Sequence, residues 1–270
     1  VNTVRQLLFA PFLLVVFITP AAAQQPAKLT GAEIIDKHLS AVGGKEAIGR
    51  IKTRVALGTA RKDNDAAVNV AILSQAPNRV TGLYQFEGYN WQLTYDGSKS
   101  IFKPVFAKAT APVMQKYMDI LATGTMFNDV SVYNALAGGE IESVKFEAKG
   151  TKKVKGKPAY IVEMKRDKGD AIRLLFDTES FMWVRTEYGT VRLTKPMGTF
   201  TNEITSKDEE TTYDFFVETS EFKEIDGVKL PYRLEMTITA PILKQKNVGT
   251  IITVITEYKH NIDIDPKMFQ

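Results

Sequence analysis

The sequence predicts an α+β fold: a single curved antiparallel sheet, an incomplete β-barrel, with helices covering its concave apolar face. Three observations carry this. From Lys52 onward, apolar residues recur at every second position through most of the chain. Turn chemistry such as Asp96-Gly97 and Asp226-Gly227 separates these runs. Helical spacing is confined to a segment after Thr30 and an insertion near Ala111.

The first residues read as a leader rather than as fold. Arg5 precedes the apolar run LLFAPFLLVVFI, and Ala21-Ala22-Ala23 supplies a small-residue cleavage site. The run is shorter than the roughly 20 residues a membrane span needs. Residues 1–23 are therefore expected to be a signal peptide cleaved after Ala23, and residues 24–270 a single exported domain. The sequence holds no cysteine, so such a domain relies on its core rather than on disulfides, which suits a bacterial periplasm.

After the polar stretch AQQPAK, Thr30 and Glu33 form a capping box, and Ile34, Ile35, Leu39 and Val42 follow at helical spacing up to Gly43-Gly44. KEAIGRI continues as a short second turn. Val68, Val70 and Ile72 alternate with polar or small neighbours, as do Trp91, Leu93 and Tyr95 before the Asp96-Gly97 turn. The sheet pattern then stops at APVMQKYMDILATGTMF. Thr110 and Pro112 open a helix there; Met114, Tyr117, Met118 and Leu121 share one face, and Gly124 closes it. A second short helix is predicted over 128–137.

Strand signals resume at Val144. Tyr160, Val162 and Met164 share a face, as do Ile172, Leu174 and Phe176. The clearest alternation is VKLPYRLEMTI, with Val228, Leu230, Tyr232, Leu234, Met236 and Ile238 facing one way and Lys229, Arg233 and Glu235 the other. Pro231 in that run predicts an edge strand or a bulge. A last strand covers 248–258, and NIDIDPKMFQ reads as a trailing tail.

About ten antiparallel strands curl toward a half-barrel, and a wide one leaves a hollow. The alternation assigns Val70, Ile72, Phe86, Trp91 and Leu93 to its lining from the early strands, and Leu174, Phe176, Leu234 and Met236 from the later ones. Met114, Tyr117, Met118 and Leu121 supply a lid, methionine being suited to a surface that repacks; the plainer assignment for Met114, Tyr117, Met118 and Met126 is permanent core.

IIDKHLSAVGG, SQAPNRV, TYDGSKSIF, VKGKPAYIVEMKR, LLFDTES and FKEIDGVKLPYRLEM, in that order and with a helical insertion, resemble the LolA-like outer-membrane lipoprotein-sorting family. The resemblance spans most of residues 24–270. It implies an incomplete barrel closed by helices over an apolar cavity that carries the acyl chains of a lipid or lipoprotein, with inner- or outer-membrane partner proteins. Family members place an arginine immediately before the proline of the strand pair. Here that residue is Ala76, and Arg79 follows Pro77 at two residues' distance.

Chemistry-bearing patterns are few. The sequence lacks the nucleophile elbow, phosphate loop and dinucleotide fingerprint, so no enzymatic activity and no cofactor are expected. His38 and His260, the two histidines, stand outside any metal-ligand spacing, and no metal is expected. A net charge of +4 argues against nucleic acid as a partner. Lys149, Lys152, Lys153, Lys155 and Lys157 crowd one turn, readable as a tip that meets an anionic surface or as a solvated hairpin end. The expectation is a monomeric periplasmic carrier or binding protein for acyl chains. The alternative is an envelope protein-interaction or stress-sensing domain of the same fold.

Overall fold

The computed structural model describes residues 29–86, 89–97, 100–103, 145–165, 171–193, 211–240 and 246–270. The leader and the insertion bearing Met114, Tyr117, Met118 and Leu121 lie outside the described residues.

Two helices open the fold, α1 (Gly31–Ala41) and α2 (Gly44–Arg50). The predicted capping box is present: Thr30 Oγ1 accepts from the Glu33 amide, and the Glu33 carboxylate accepts from the Thr30 amide at 2.7 Å. Twelve strands follow. The first five are β1 (Thr53–Lys62), β2 (Val68–Gln75), β3 (Arg79–Phe86), β4 (Tyr89–Tyr95) and β5 (Ser100–Lys103). The remaining seven are β6 (Lys145–Val154), β7 (Lys157–Lys165), β8 (Ile172–Asp177), β9 (Trp183–Leu193), β10 (Thr211–Ile225), β11 (Val228–Ala240) and β12 (Lys246–His260).

All twelve belong to one open antiparallel sheet in the order β5-β4-β3-β2-β1-β12-β11-β10-β9-β8-β7-β6. The topology is therefore two meanders, one from β1 out to β5 and one from β6 back to β12, joined where β1 pairs with β12. At that seam the register shifts between Leu57 and Gly58. A Cβ on Gly58 would stand 2.1 Å from the Val254 carbonyl oxygen, so only glycine allows the two backbones to approach this closely.

Alternation sets the two faces. On β11 the six predicted apolar residues are buried and Lys229 is exposed. Pro231 does not mark an edge: β11 lies between β10 and β12 in the interior of the sheet. The proline is tolerated because the β11–β12 ladder begins only at Arg233, and the Pro231 carbonyl is taken by the Tyr258 hydroxyl at 2.5 Å.

α1 and α2 lie on the inner face over the β7–β9 half. Ile34, Ile35, Leu39 and Val42 from α1 pack with Val162, Leu174, Phe176, Trp183 and Leu230 from the sheet. The α1–α2 corner is stitched to the β10–β11 turn by the Lys229 amide donating to the Val42 carbonyl at 2.8 Å. Gly43, at φ +128°, sits so close that a Cβ would lie 2.0 Å from the Gly227 carbonyl oxygen; at Gly44, φ +89°, a Cβ would meet nothing. Gly43→Ala is expected to combine backbone strain with a clash and cost upward of about 2 kcal/mol, whereas Gly44→Ala costs about 1 kcal/mol from strain alone. Urea unfolding midpoints of the two variants check this ordering.

Candidate functional site

The inner face carries two apolar clusters. The first is the one beneath α1 and α2. The second runs from Leu93 on β4 across Val80, Val70, Ile72, Ala56, Ala60, Ile255, Leu234, Met236, Ile238, Phe215 and Tyr213 to Tyr188 on β9. It is made of sheet residues, and among the described elements no helix belongs to it. Tyr258 packs against both clusters and marks their boundary.

This division sorts the predicted lining residues. Val70, Ile72, Leu93, Leu234 and Met236 meet in the second cluster, each no more than 6 % exposed. Leu174 and Phe176 share the same face but are fully buried under α1. Phe86 and Trp91 are placed by backbone register, Phe86 opposite Tyr89 and Trp91 opposite Tyr84. The second cluster is rich in phenols: Tyr188, Tyr213 and Tyr232 are buried members, and Tyr84, Tyr95 and Tyr258 pack against it.

Sequence reasoning passed over a polar node where the clusters meet. Arg54, on the same inner face as Ala56 and Ala60, is 3 % exposed. It stands opposite Ser74 on β2, which is also buried, and opposite His260 on β12. Arg54 Nε donates to His260 Nε2 at 3.0 Å, and His260 Nδ1 lies 2.8 Å from Asp226 Oδ2. An arginine can only donate, so Nε2 is the acceptor and the imidazole is neutral with its proton on Nδ1, donated to Asp226. Burial and the Arg54 charge both push the His260 pKa below its ordinary value, against the opposing pull of Asp226. The guanidinium carbon stands 5.8 Å from the centre of the Tyr258 ring, Tyr258 meets Tyr232 edge-on at 5.2 Å, and Lys223 Nζ lies 4.1 Å from the Tyr232 ring centre. The signal in the sequence was a charged residue at an inward position of the β1 alternation. Arg79, by contrast, is exposed and approaches Gln75 at 3.5 Å, so it does not stand in for an interior arginine.

His38 belongs to the core. Its side chain is fully buried, its Nδ1 donates to the Phe181 carbonyl at 2.9 Å, and its ring lies 4.9 Å from that of Phe176. The accepting carbonyl is presented by a turn in which Phe181 takes φ +56°, a left-handed conformation that costs about 1 kcal/mol. Asp177 holds that turn, accepting from the Ser180 amide at 2.8 Å and the Glu179 amide at 3.1 Å.

The outer face is shaped by the chain's last residues. The segment after β12 does not trail away; it crosses the sheet. Thr53 Oγ1 donates to the Ile262 carbonyl, Thr81 Oγ1 and Gln92 Nε2 to that of Met268, and Lys103 Nζ to that of Gln270. Asp265 caps a short 3-10 helix, Pro266–Phe269, and Phe269 is buried. Beside this strap lies a groove of about 640 Å³ with Leu57, Ala71 and Leu83 among its lining and Asn69, Gln92 and Lys103 at its polar positions.

The lysine-rich β6–β7 tip also lies on the outer face, bound within the chain. Lys152 pairs with Glu187 at 2.5 Å, Lys155 with Glu218 and Glu235 at 2.9 Å each, and Lys149 with Glu147 at 2.8 Å. Arg185 adds a 2.6 Å contact to Glu218. Beneath them Val154, Ala159 and Leu175 form a small apolar core, so the hairpin is anchored there by packing as well as charge. No group of three potential ligands that would hold a metal occurs among the described residues.

No protein-family model matches the chain, and no curated protein is significantly similar to it. Solved structures are similar. A LolA superfamily protein of Nitrosomonas europaea superposes with a TM-score of 0.51 at 11 % identity, covering 90 % of this chain and 98 % of that one. A lipoprotein-sorting protein domain from Vibrio parahaemolyticus gives a TM-score of 0.45 at 10 % identity over 88 % of this chain and 95 % of that one. A DUF1329 family protein of Desulfovibrio piger gives 0.44 at 10 % identity over the same shares. The fold is LolA-like.

The burial of His38 yields a pH dependence. Desolvation lowers its pKa from 6.5 to about 4 in the folded chain, so the unfolded chain gains a proton first as pH falls. The stability that neutral His38 contributes is complete above pH 6.5 and is lost progressively toward pH 4. Across that window wild type should lose on the order of 3 kcal/mol relative to His38→Phe, which carries no titrating group there. Denaturant unfolding of both proteins at several pH values measures this, and a constant difference would contradict a neutral buried His38.

Proposed function

We propose that the chain is a periplasmic carrier or binding protein for molecules with acyl chains, and that the hydrocarbon lies along the second inner-face cluster. The observation that supports this most directly is the division of the inner face. α1 and α2 cover one cluster, while the other gathers the buried inward apolar residues of eight neighbouring strands and has no described helix among its members. Removing hydrocarbon from water contributes about 0.8 kcal/mol per methylene, so a long chain gains roughly 10 kcal/mol before ordering costs, with little polar recognition required.

Val70, Ile72, Leu93, Leu234 and Met236 are the proposed contacts, with Phe86 and Trp91 from the adjoining register positions. Met114, Tyr117, Met118 and Leu121 are proposed as its cover. Leu174 and Phe176 support the site from beneath α1 rather than touching ligand. The leader-like residues 1–23 and the fold are in keeping with a periplasmic location. No described helix is long and apolar enough to cross a membrane. A protein-interaction role is the second reading, favoured by the outer-face groove beside the terminal strap.

Native mass spectrometry of protein purified from a bacterial envelope, followed by solvent extraction, separates the readings. The carrier reading expects co-purifying lipid and expects Ile72→Arg to reduce uptake of a fluorescent acyl probe at least tenfold with the circular dichroism spectrum retained. A lipid-free protein that takes up no probe would leave the interaction reading.

A further inference from the structure

We propose that His260 is an acid-operated joint: neutral, it ties the end of β1 to the β10–β11 turn; protonated, it keeps the turn and lets go of β1, freeing the root of the terminal strap. This does not depend on what the inner face binds. His260 is the last residue of β12, and its side chain is 2 % exposed. Three segments meet there. Arg54 of β1 stands opposite and donates from Nε to Nε2 at 3.0 Å. Asp226, in the β10–β11 turn, has Oδ2 2.8 Å from Nδ1. The strap begins at the next residue, Asn261.

Among the described residues, Arg54 and Asp226 are the charged groups that act on the imidazole. Lys259, beside it on β12, points to the opposite face and pairs with Glu257 at 3.3 Å, while Tyr258 gives its hydroxyl to the Pro231 carbonyl. A neutral imidazole offers one acceptor and one donor, matching these two neighbours. A proton at Nε2 replaces the acceptor with a second N–H, aimed at the Nε–H of Arg54, and sets two positive charges at hydrogen-bond distance. That contact does not survive. The same proton turns the Nδ1 bond to Asp226 into a charge-assisted pair, roughly twice as strong as a neutral one. One proton therefore breaks the link to β1 and strengthens the link to the turn. Desolvation, and after it the Arg54 charge, hold the His260 pKa below 6.5 against the pull of Asp226. The neutral joint is thus complete above pH 6.5 and is lost as pH falls through the folded-state value.

What each link carries decides what moves. On the β1 side, the Asn261 amide donates to the Thr53 carbonyl at 2.9 Å, the Lys52 amide to Asn261 Oδ1 at 2.8 Å, and Thr53 Oγ1 to the Ile262 carbonyl at 2.7 Å. These bonds close the same corner as the Arg54–His260 rung, the outermost of the β1–β12 ladder. Asn261 takes φ +53°, a left-handed conformation that turns the chain out of β12 and makes this residue the hinge. On the turn side, the Lys229 amide donates to the Val42 carbonyl at 2.8 Å and Gly43 lies against Gly227, so the α1–α2 corner stays with the turn. The far end of the strap remains on the sheet through buried Phe269 and the Thr81 bond to Met268. Acid therefore opens the seam's corner between Lys52 and Ile262 and leaves the helices in place.

The test is amide hydrogen exchange of the wild-type chain, resolved by NMR at pH 7.5 and pH 5.0 and corrected for the intrinsic pH dependence of exchange. The lower value lies above the pH of about 4 at which His38 titrates. Protection of the Lys52 and Asn261 amides is expected to fall by about tenfold or more at pH 5.0, while that of Lys229 changes less than about twofold. The imidazole signals of the two histidines, followed over the same range, should show His260 taking up its proton as the Asn261 amide loses protection. His260→Gln keeps an uncharged side chain with an acceptor and donors and takes up no proton, so its Asn261 protection should be the same at both pH values. Three wild-type results each overturn the proposal without any variant: His260 still neutral at pH 5.0, His260 protonated with Asn261 protection unchanged, or equal loss at Asn261 and Lys229. A pH-dependent loss at Asn261 that persists in folded His260→Gln overturns it as well.

Discussion

The pairing of the first strand with the last is the constraint on which the rest of the structure depends. Each meander is a run of local hairpins, and nothing in their turns brings one beside the other. The β1–β12 ladder does so, between residues roughly two hundred positions apart, from Arg54 opposite His260 to Lys62 opposite Ile251. It requires Gly58, because the bulge brings the Val254 carbonyl where any side chain would stand. Once this seam forms, two half-sheets become one surface, and the apolar residues of β2 and β11 share a single face. Such long-range closure carries a loop entropy that local hairpins avoid.

Two features follow from the seam. The first is the Arg54–His260–Asp226 relay, whose members come from opposite ends of the sequence and meet only across this ladder. The second is the terminal strap, which leaves β12 at His260 and is caught at once by the edge of β1: the Asn261 amide donates to Thr53, and the Lys52 amide to the Asn261 side chain. The strap then covers part of the outer face of the first meander, as the β6–β7 tip covers part of the second. Both halves thus bury some outer surface, while on the inner face only the cluster beneath α1 and α2 is sealed by the described helices.

Much of this was legible in the sequence because a strand with one wet face writes its alternation plainly. VKLPYRLEMTI and the capping box at Thr30 gave both type and facing, and the LolA-like fold read from the order of motifs is the fold observed. What could not be read depended on partners distant in sequence. Pro231 signalled an edge or a bulge because its place before the start of the β11–β12 ladder is not a local property. The count of about ten strands fell short of twelve in part because β5, only four residues long, carries little alternation of its own. NIDIDPKMFQ has no apolar period, yet Asp265 as a cap and Phe269 as an anchor hold it to the sheet. The lysines of the β6–β7 tip read either as a solvated hairpin end or as a tip for an anionic surface; the glutamates that pair with Lys152 and Lys155 stand on β9, β10 and β11, beyond the reach of local pattern.

The central claim is that hydrocarbon lies on the inner face between β4 and β9. A diazirine-bearing fatty acid, photo-crosslinked to the protein and mapped by peptide mass spectrometry, tests it most directly. The account predicts adducts on the inward residues of β1, β2 and β11, among them Ala60, Ile72 and Met236. Adducts confined to Leu57, Ala71 and Leu83 on the outer face would contradict it.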